Sequence, residues 1–296
     1  MPCYEMNVTV MGTMAGELLA EDREASVMGL TSRGLFVHLP PRWVLYLTPE
    51  AYPGPLTLNL PDYPGAFMGL NNGVPGKITS GCISFPKPGL VINTQRASSW
   101  WAPPLLEGHL ASDQRMAQLV QVAGQALARR HTSIVSTLLP TVLGIVDRLE
   151  AQGNAIFPLL ENLARTLKES NIAAIAEDIQ PFIGLGTGLT PSGDDLVAGF
   201  LLALARWGHV IAPHVDLTSL SHILLPLVYL KTTTLSANLI ECAFQGQADG
   251  RLLFALDGIM SGCPDAATCA NYLADWGNTS GLDALTGMTL ALVESV

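Results

Sequence analysis

The chain has 296 residues, enough for one large or two smaller domains around a substantial core. Its net charge is −10 with no lysine or arginine cluster, which disfavours a nucleic-acid partner, because such affinity comes largely from neutralising phosphates. Hydrophobic residues make up 49% and charged residues only 14%, yet the longest clean apolar run, Leu196–Ala205, is half the length of a membrane span and is closed by Arg206.

With a mean hydropathy of +0.34 and no membrane span, the expectation is helices buried on most of their circumference, or an extensive subunit interface in a homo-oligomer or a larger complex. The first residues, MPCYEMNVTV, lack the basic and long apolar regions of a secretory signal. Cys3, Cys82, Cys242, Cys263 and Cys269 form an odd set without CxxC spacing. Reduced thiols in a cytoplasmic protein are therefore expected, rather than a disulfide framework or a zinc site. A small anionic substrate stays compatible with the charge, since a few local donors outweigh a global field.

Up to about Arg96 the pattern is short β-branched and aromatic runs broken by Gly and Pro: Val8–Met11, Gly34–Leu39, Trp43–Leu47, Leu56–Leu60, Ile78–Phe85 and Leu90–Asn93. This spacing predicts a small antiparallel sheet or barrel-like unit over residues 1–105. Trp100–Leu106, WWAPPLL, reads as a linker whose prolines prevent regular structure and whose tryptophans pin it against a domain.

Residues 106–296 are expected to be mostly helical. Met116, Leu119, Val120, Ala123 and Leu127 fall at helical spacing, with Ser112 or Asp113 as cap. Further helical runs are predicted at about Ser133–Gln152, Asn154–Ser170, Ile172–Ile179, Asp194–Trp207, Leu217–Phe244, Arg251–Met260, Pro264–Trp276 and Gly281–Glu294, with Pro140 and Pro158 kinking or shortening two of them. Strands do not alternate with helices, so the fold class is α+β, a β-rich front before a helical back.

Gly184–Asp195, GLGTGLTPSGDD, is the most informative segment. Gly184, Gly186, Gly188 and Gly193 crowd between two helical runs, and such a density marks positive φ or close backbone approach. Thr190 and Ser192 supply hydroxyls and either can cap the next helix, which Asp194 and Asp195 open. Exposed amides at a helix start make an anion site. One aspartate can simply complement the helix dipole; the other can act as a base, orient a substrate or hold Mg²⁺, so both are candidate catalytic residues and candidate metal ligands. The segment is neither a Walker A loop nor a Rossmann turn, and an elaborate helix-start turn is the bland alternative.

Two companions follow. Lys231–Ser236, KTTTLS, puts a cation beside hydroxyls: Lys231 can pair with an anion while Thr232, Thr233 and Ser236 hydrogen-bond it, or the threonines merely back-bond within a helix. Asn238 and Glu241 come within two turns, and Gly246 is placed to stop that helix. Gly277–Gly287, GNTSGLDALTG, repeats the chemistry of the first loop, with Thr279 or Ser280 as cap and Asp283 in the first turn. That likeness predicts two helix starts converging on one ligand. The six histidines are scattered, no GxSxG elbow is present, and Cys82 reads as a buried strand thiol.

Together GLGTGLTPSGDDLVAG, KTTTLSANLIECAFQG and GNTSGLDALTG resemble the AllH-type family, whose bacterial members occur as an accessory subunit of oxamate carbamoyltransferase and otherwise as a domain of unknown function. The resemblance runs through most of the chain and is most specific at 184–199. It implies phosphorolysis of oxalurate to oxamate and carbamoyl phosphate, late in anaerobic allantoin breakdown, with FdrA-type and AllG-type subunits as partners. The Ser-Thr-Arg-Thr phosphate loop of aspartate and ornithine carbamoyltransferases is absent, which leaves room for a different fold or for chemistry on a partner subunit. Three readings follow: a carbamoyltransferase subunit binding a small anion or phosphate at the loop, a non-catalytic scaffold subunit, and a Mg²⁺-dependent phosphotransferase.

Overall fold

A computed structural model describes residues 4–61, 67, 69–151 and 153–293. Cys3 and the expected helix ends at Gln152 and Glu294 lie outside the described residues. The chain divides into two compact units, Met1–Pro103 and Pro104–Val296, each described by itself.

The first unit is a mixed sheet with one helix: β1 (Tyr4–Asn7), β2 (Val10–Gly12), α1 (Thr13–Leu19), β3 (Arg23–Leu30), β4 (Leu35–Leu39), β5 (Trp43–Thr48), β6 (Thr57–Asn59), β7 (Pro75–Thr79), β8 (Cys82–Phe85), β9 (Leu90–Asn93) and β10 (Ser98–Trp100). The strand order is β1-β9-β8-β7-β3-β4-β5-β6-β2-β10. The β-rich front is as expected, but its sheet is mixed rather than antiparallel throughout, since β1/β9, β2/β10 and β5/β6 pair in parallel. Those three pairings join strands distant in sequence or separated by a long connection, which local alternation does not reveal. The predicted run Ile78–Phe85 splits into a β7/β8 hairpin, because Ser80 and Gly81 both take positive φ in a two-residue turn. Alternation is clearest in β4, where Leu35, Val37 and Leu39 point into the core. Trp100 ends β10 rather than lying in a linker, and Trp101 is 70% exposed, so Trp101 does not pin the connection.

The second unit is helical: α2 (Ser112–Leu127), α3 (Leu139–Val142), α4 (Phe157–Glu169), α5 (Ile172–Ile179), α6 (Ser192–Ile211), α7 (Leu217–Lys231), α8 (Thr234–Phe244), α9 (Gly250–Ser261), α10 (Ala266–Asp275) and α11 (Ser280–Val293). The cap of α2 is Ala111, whose N–H is accepted by Gln114 Oε1, not Ser112 or Asp113. The long helix expected at 133–152 is replaced by the 3-10 turn Ser136–Leu138, short α3 and a second turn at Arg148–Ala151, because Pro140 starts α3 and Gly144 at positive φ ends it. Pro158 sits in the first turn of α4, where its missing N–H costs nothing. The helix expected over 217–244 is broken at Thr232, which is extended, and restarts with Thr233 as cap.

Helix α6 is the centre of this unit. Leu196, Val197, Phe200, Leu201, Leu202 and Ala203 are all buried, so apolar residues occupy its whole circumference, as the composition predicts. It packs on α11 without intervening side chains. A Cβ on Gly199 would collide with the Ala284 carbonyl, and one on Gly287 with the Leu196 carbonyl. Arg206, which closes the apolar run in sequence, is itself buried: its Nε and Nη2 donate to Asp257 Oδ1 and Oδ2, each at 2.6 Å. No described helix is long and apolar enough to cross a membrane.

Candidate functional site

The loop before α6 folds back on its own helix. Leu185 N–H donates to Phe182 O at 3.0 Å, and Gly193 N–H donates to Leu185 O at 2.8 Å. Gly193 is required there, since a Cβ would strike the Phe182 carbonyl. Gly184, at φ +79°, has the Lys231 carbonyl 2.7 Å from where its Cβ would stand, so the loop lies against the break between α7 and α8. Gly186 packs over Ser192, while Gly188 faces open space and residues 186–189 are exposed. The cap of α6 is Pro191; neither Thr190 nor Ser192 caps it, and Ser192 is the first helical residue. The fixed φ of Pro191 suits this position, and its carbonyl accepts from both Asp194 and Asp195 amides.

Asp194 ties the loop to the α7–α8 break. Its Oδ1 accepts the Gly184 N–H at 2.7 Å and its Oδ2 accepts the Thr232 hydroxyl. Thr233 adds a second tie, donating its hydroxyl to Leu189 O at 2.7 Å while accepting Ser236 N–H at 3.1 Å as the cap of α8. The threonines therefore neither back-bond within a helix nor wait free for an anion. Ser236 is buried beside Asp194, close enough to favour its charge, with a hydroxyl that makes no hydrogen bond of good geometry. Lys231 presents its carbonyl to Gly184, whereas its ammonium is exposed and makes no ion pair with a described residue. Asn238 and Glu241 are hydrogen-bonded to the Tyr229 hydroxyl between α7 and α8.

Asp195 and Asp283 behave differently from Asp194. Both are at most 1% exposed, and each has one buried oxygen, Oδ2, without a hydrogen-bond partner. They sit four residues before the glycines of the α6–α11 contact, in the matching stretches Asp195–Gly199 and Asp283–Gly287. That contact brings the two helix starts together: Thr190 Oγ1 and Ser280 Oγ are 3.4 Å apart, and both hydroxyls flank Asp195. Thr279 precedes α11 and accepts the Leu282 and Asp283 amides on its carbonyl, at 2.9 and 3.0 Å.

Burial pushes all three carboxyls up from their ordinary range. At Asp194 the hydroxyl of Thr232, the Gly184 amide and Ser236 oppose that rise. Asp195 is raised well above it, first by burial and then by the neighbouring charges of Asp283 and Asp194, against hydrogen bonds from Ser280 and Thr190. Asp283 is raised by burial and partly restored by Ser133, Ser136, Thr279 and Ser192. No positive charge is among the groups that set these shifts. A pair of neighbouring carboxyls so placed favours retention of a proton.

Ser133 and Ser136 are absent from the sequence reading. Ser133 donates its hydroxyl to Asp283 Oδ1 and accepts the Val135 and Ser136 amides at 2.9 and 3.2 Å. An Ser-x-x-Ser turn is a visible signal, but nothing in sequence aims it at a helix 150 residues away. Elsewhere burial pushes the Cys242 thiol up, and the Cys269 thiol up to about 12. Cys82 is half-buried in β8, less enclosed than expected. Among the described residues no group of three or more His, Cys, Asp or Glu is arranged to hold a metal ion. Asp194, one of the two proposed Mg²⁺ ligands, has both oxygens engaged with protein donors.

No solved structure matches this chain. Residues 182–292, which contain all three loops, match the family described as oxamate carbamoyltransferase subunit AllH, and that segment is similar to AllH-type proteins.

Proposed function

We propose that the chain serves as a subunit of an oxamate carbamoyltransferase, and that the paired starts of α6 and α11 handle its carbamoyl substrate. The observation that carries this reading is the pair of buried, unpartnered carboxyl oxygens on Asp195 and Asp283, at the meeting point of loops about ninety residues apart. A buried acceptor without a partner costs about 1–3 kcal/mol, so its retention fits a group kept for a ligand or a proton. In the reaction a phosphate oxygen attacks the carbamoyl carbon of oxalurate, the bond from that carbon to the oxamate nitrogen breaks, and the nitrogen takes up a proton. A carboxyl whose burial favours the protonated form is suited to deliver it. Hydroxyls of Thr190 and Ser280 and the exposed amides of residues 186–189 are the donors available to the anionic groups. Partner subunits of the FdrA and AllG types belong to the same proposal.

The test is carbamoyl phosphate formation by the assembled complex. Asp195→Asn and Asp283→Asn are expected to lower turnover by about a hundredfold or more while the variants melt cooperatively. Full activity with both substitutions sinks the catalytic role. It would favour the scaffold reading, which the engagement of Asp194 with Gly184 and Thr232 supports for that residue alone. Activity lost only with loss of folding would also count against chemistry at these carboxyls. A Mg²⁺-dependent phosphotransferase has less support, since Asp194 is engaged and no metal-ready cluster is present among the described residues.

A further inference from the structure

A cavity of about 330 Å³ lies between α3, α4 and α11, apart from the three loops. That volume is at the lower end of small-molecule sites. Its lining divides by chemistry. Phe157, Leu160 and Leu290 are buried and make an apolar wall. Arg148, Arg165 and Lys168 stand on the exposed side, with Glu161 the one acid among the described lining residues. The division follows from α4, where positions 157, 160, 161, 164, 165 and 168 share one face.

The charge there opposes that of the whole chain. Three of fifteen Lys and Arg residues border one cavity in a protein of net charge −10. Two ion pairs of the arginines there are weakly held. Arg148 meets Glu161 at 3.1 Å with side chains 76% and 43% exposed, and Arg165 meets Glu169 at 2.8 Å with 58% and 49% exposed. Exposed pairs of this kind contribute little, so a carboxylate ligand can compete for the same guanidinium groups.

We infer that this cavity binds a small amphipathic anion, a carboxylate with a short apolar tail laid against Phe157, Leu160 and Leu290 and its head at Arg148, Arg165 and Lys168. No residue of the carbamoyl site takes part, so the inference stands apart from the proposed function. Isothermal titration of the full chain with octanoate tests it, with octylammonium as the control of opposite charge. Octanoate should bind saturably at one site, and octylammonium about tenfold more weakly or not at all. Arg165→Glu with Lys168→Glu, on exposed side chains, should weaken octanoate about tenfold or more. Ala164→Trp, which fills the cavity, should abolish its binding. Absence of saturable octanoate binding, equal binding of octylammonium, or unchanged affinity in the charge-reversed variant would overturn the assignment. Circular dichroism confirms folding, and if Ala164→Trp unfolds, the charge-reversed variant still decides.

Discussion

The two ends of α6 bury acids in opposite ways. Towards its carboxyl end, Asp257 from α9 receives Nε and Nη2 of Arg206 and the Trp207 indole N–H at 3.0 Å, so both carboxylate oxygens are engaged by a cation or a donor. At its amino end, Asp194, Asp195 and Asp283 share hydroxyls and amides but no cation, and two oxygens remain unpartnered. The first arrangement is complete without a ligand. The second leaves two buried acceptors open, which on the proposed function are filled by a proton or a bound donor.

Removal of the acid at the paired end should give the largest effect. Asp257→Ala strands a buried guanidinium and is expected to cost about 3–5 kcal/mol in urea unfolding. A loss below about 1 kcal/mol would show that Arg206 reaches water and break the contrast. Thr232→Val comes next. It leaves Asp194 Oδ2 without its donor, for about 1–3 kcal/mol, whereas Thr232→Ser should restore most of that.

Asp195→Asn sharpens the contrast through pH. A carboxyl raised above its unfolded value of 3.8 favours the fold below that value, and this contribution is lost as pH rises through the folded value. Asparagine does not titrate, so the stability difference should move in the variant's favour as pH rises above the unfolded value of 3.8. Parallel stability curves for the two proteins would show that Asp195 titrates normally. Glu161→Gln should be smallest, changing stability by less than about 1 kcal/mol, because its pair with Arg148 is exposed.

Much of this was legible in the sequence. The Gly and hydroxyl pattern of 184–195 and 277–287 identifies two helix starts, and their likeness predicts that they meet, as Thr190 and Ser280 do. The β-to-helical change near residue 105 was visible because side-chain period alters there. The break at Thr232 was not visible: Leu and Val continue a helical pattern across it, and only the pull of Asp194 and Leu189 explains the extended backbone. Ser133 was missed for a similar reason, since its partner Asp283 is remote in sequence. Parallel pairing of β1 with β9 was likewise beyond local reading. Capping was misassigned at α2 and α6, where Gln114 reaches back and Pro191 itself occupies the boundary.

The glycine contact between α6 and α11 has a mechanical consequence. Backbone rests on backbone at Gly199 and Gly287, with no rotamer between them to adjust. The spacing of Asp195 from Asp283 is therefore set by the stiffest part of the unit. Any opening needed to admit a molecule must be supplied by the rim, where Gly186 and Gly188 hold positive φ and residues 186–189 face solvent. The proposed site thus joins a base set by backbone contact to an exposed, glycine-rich rim.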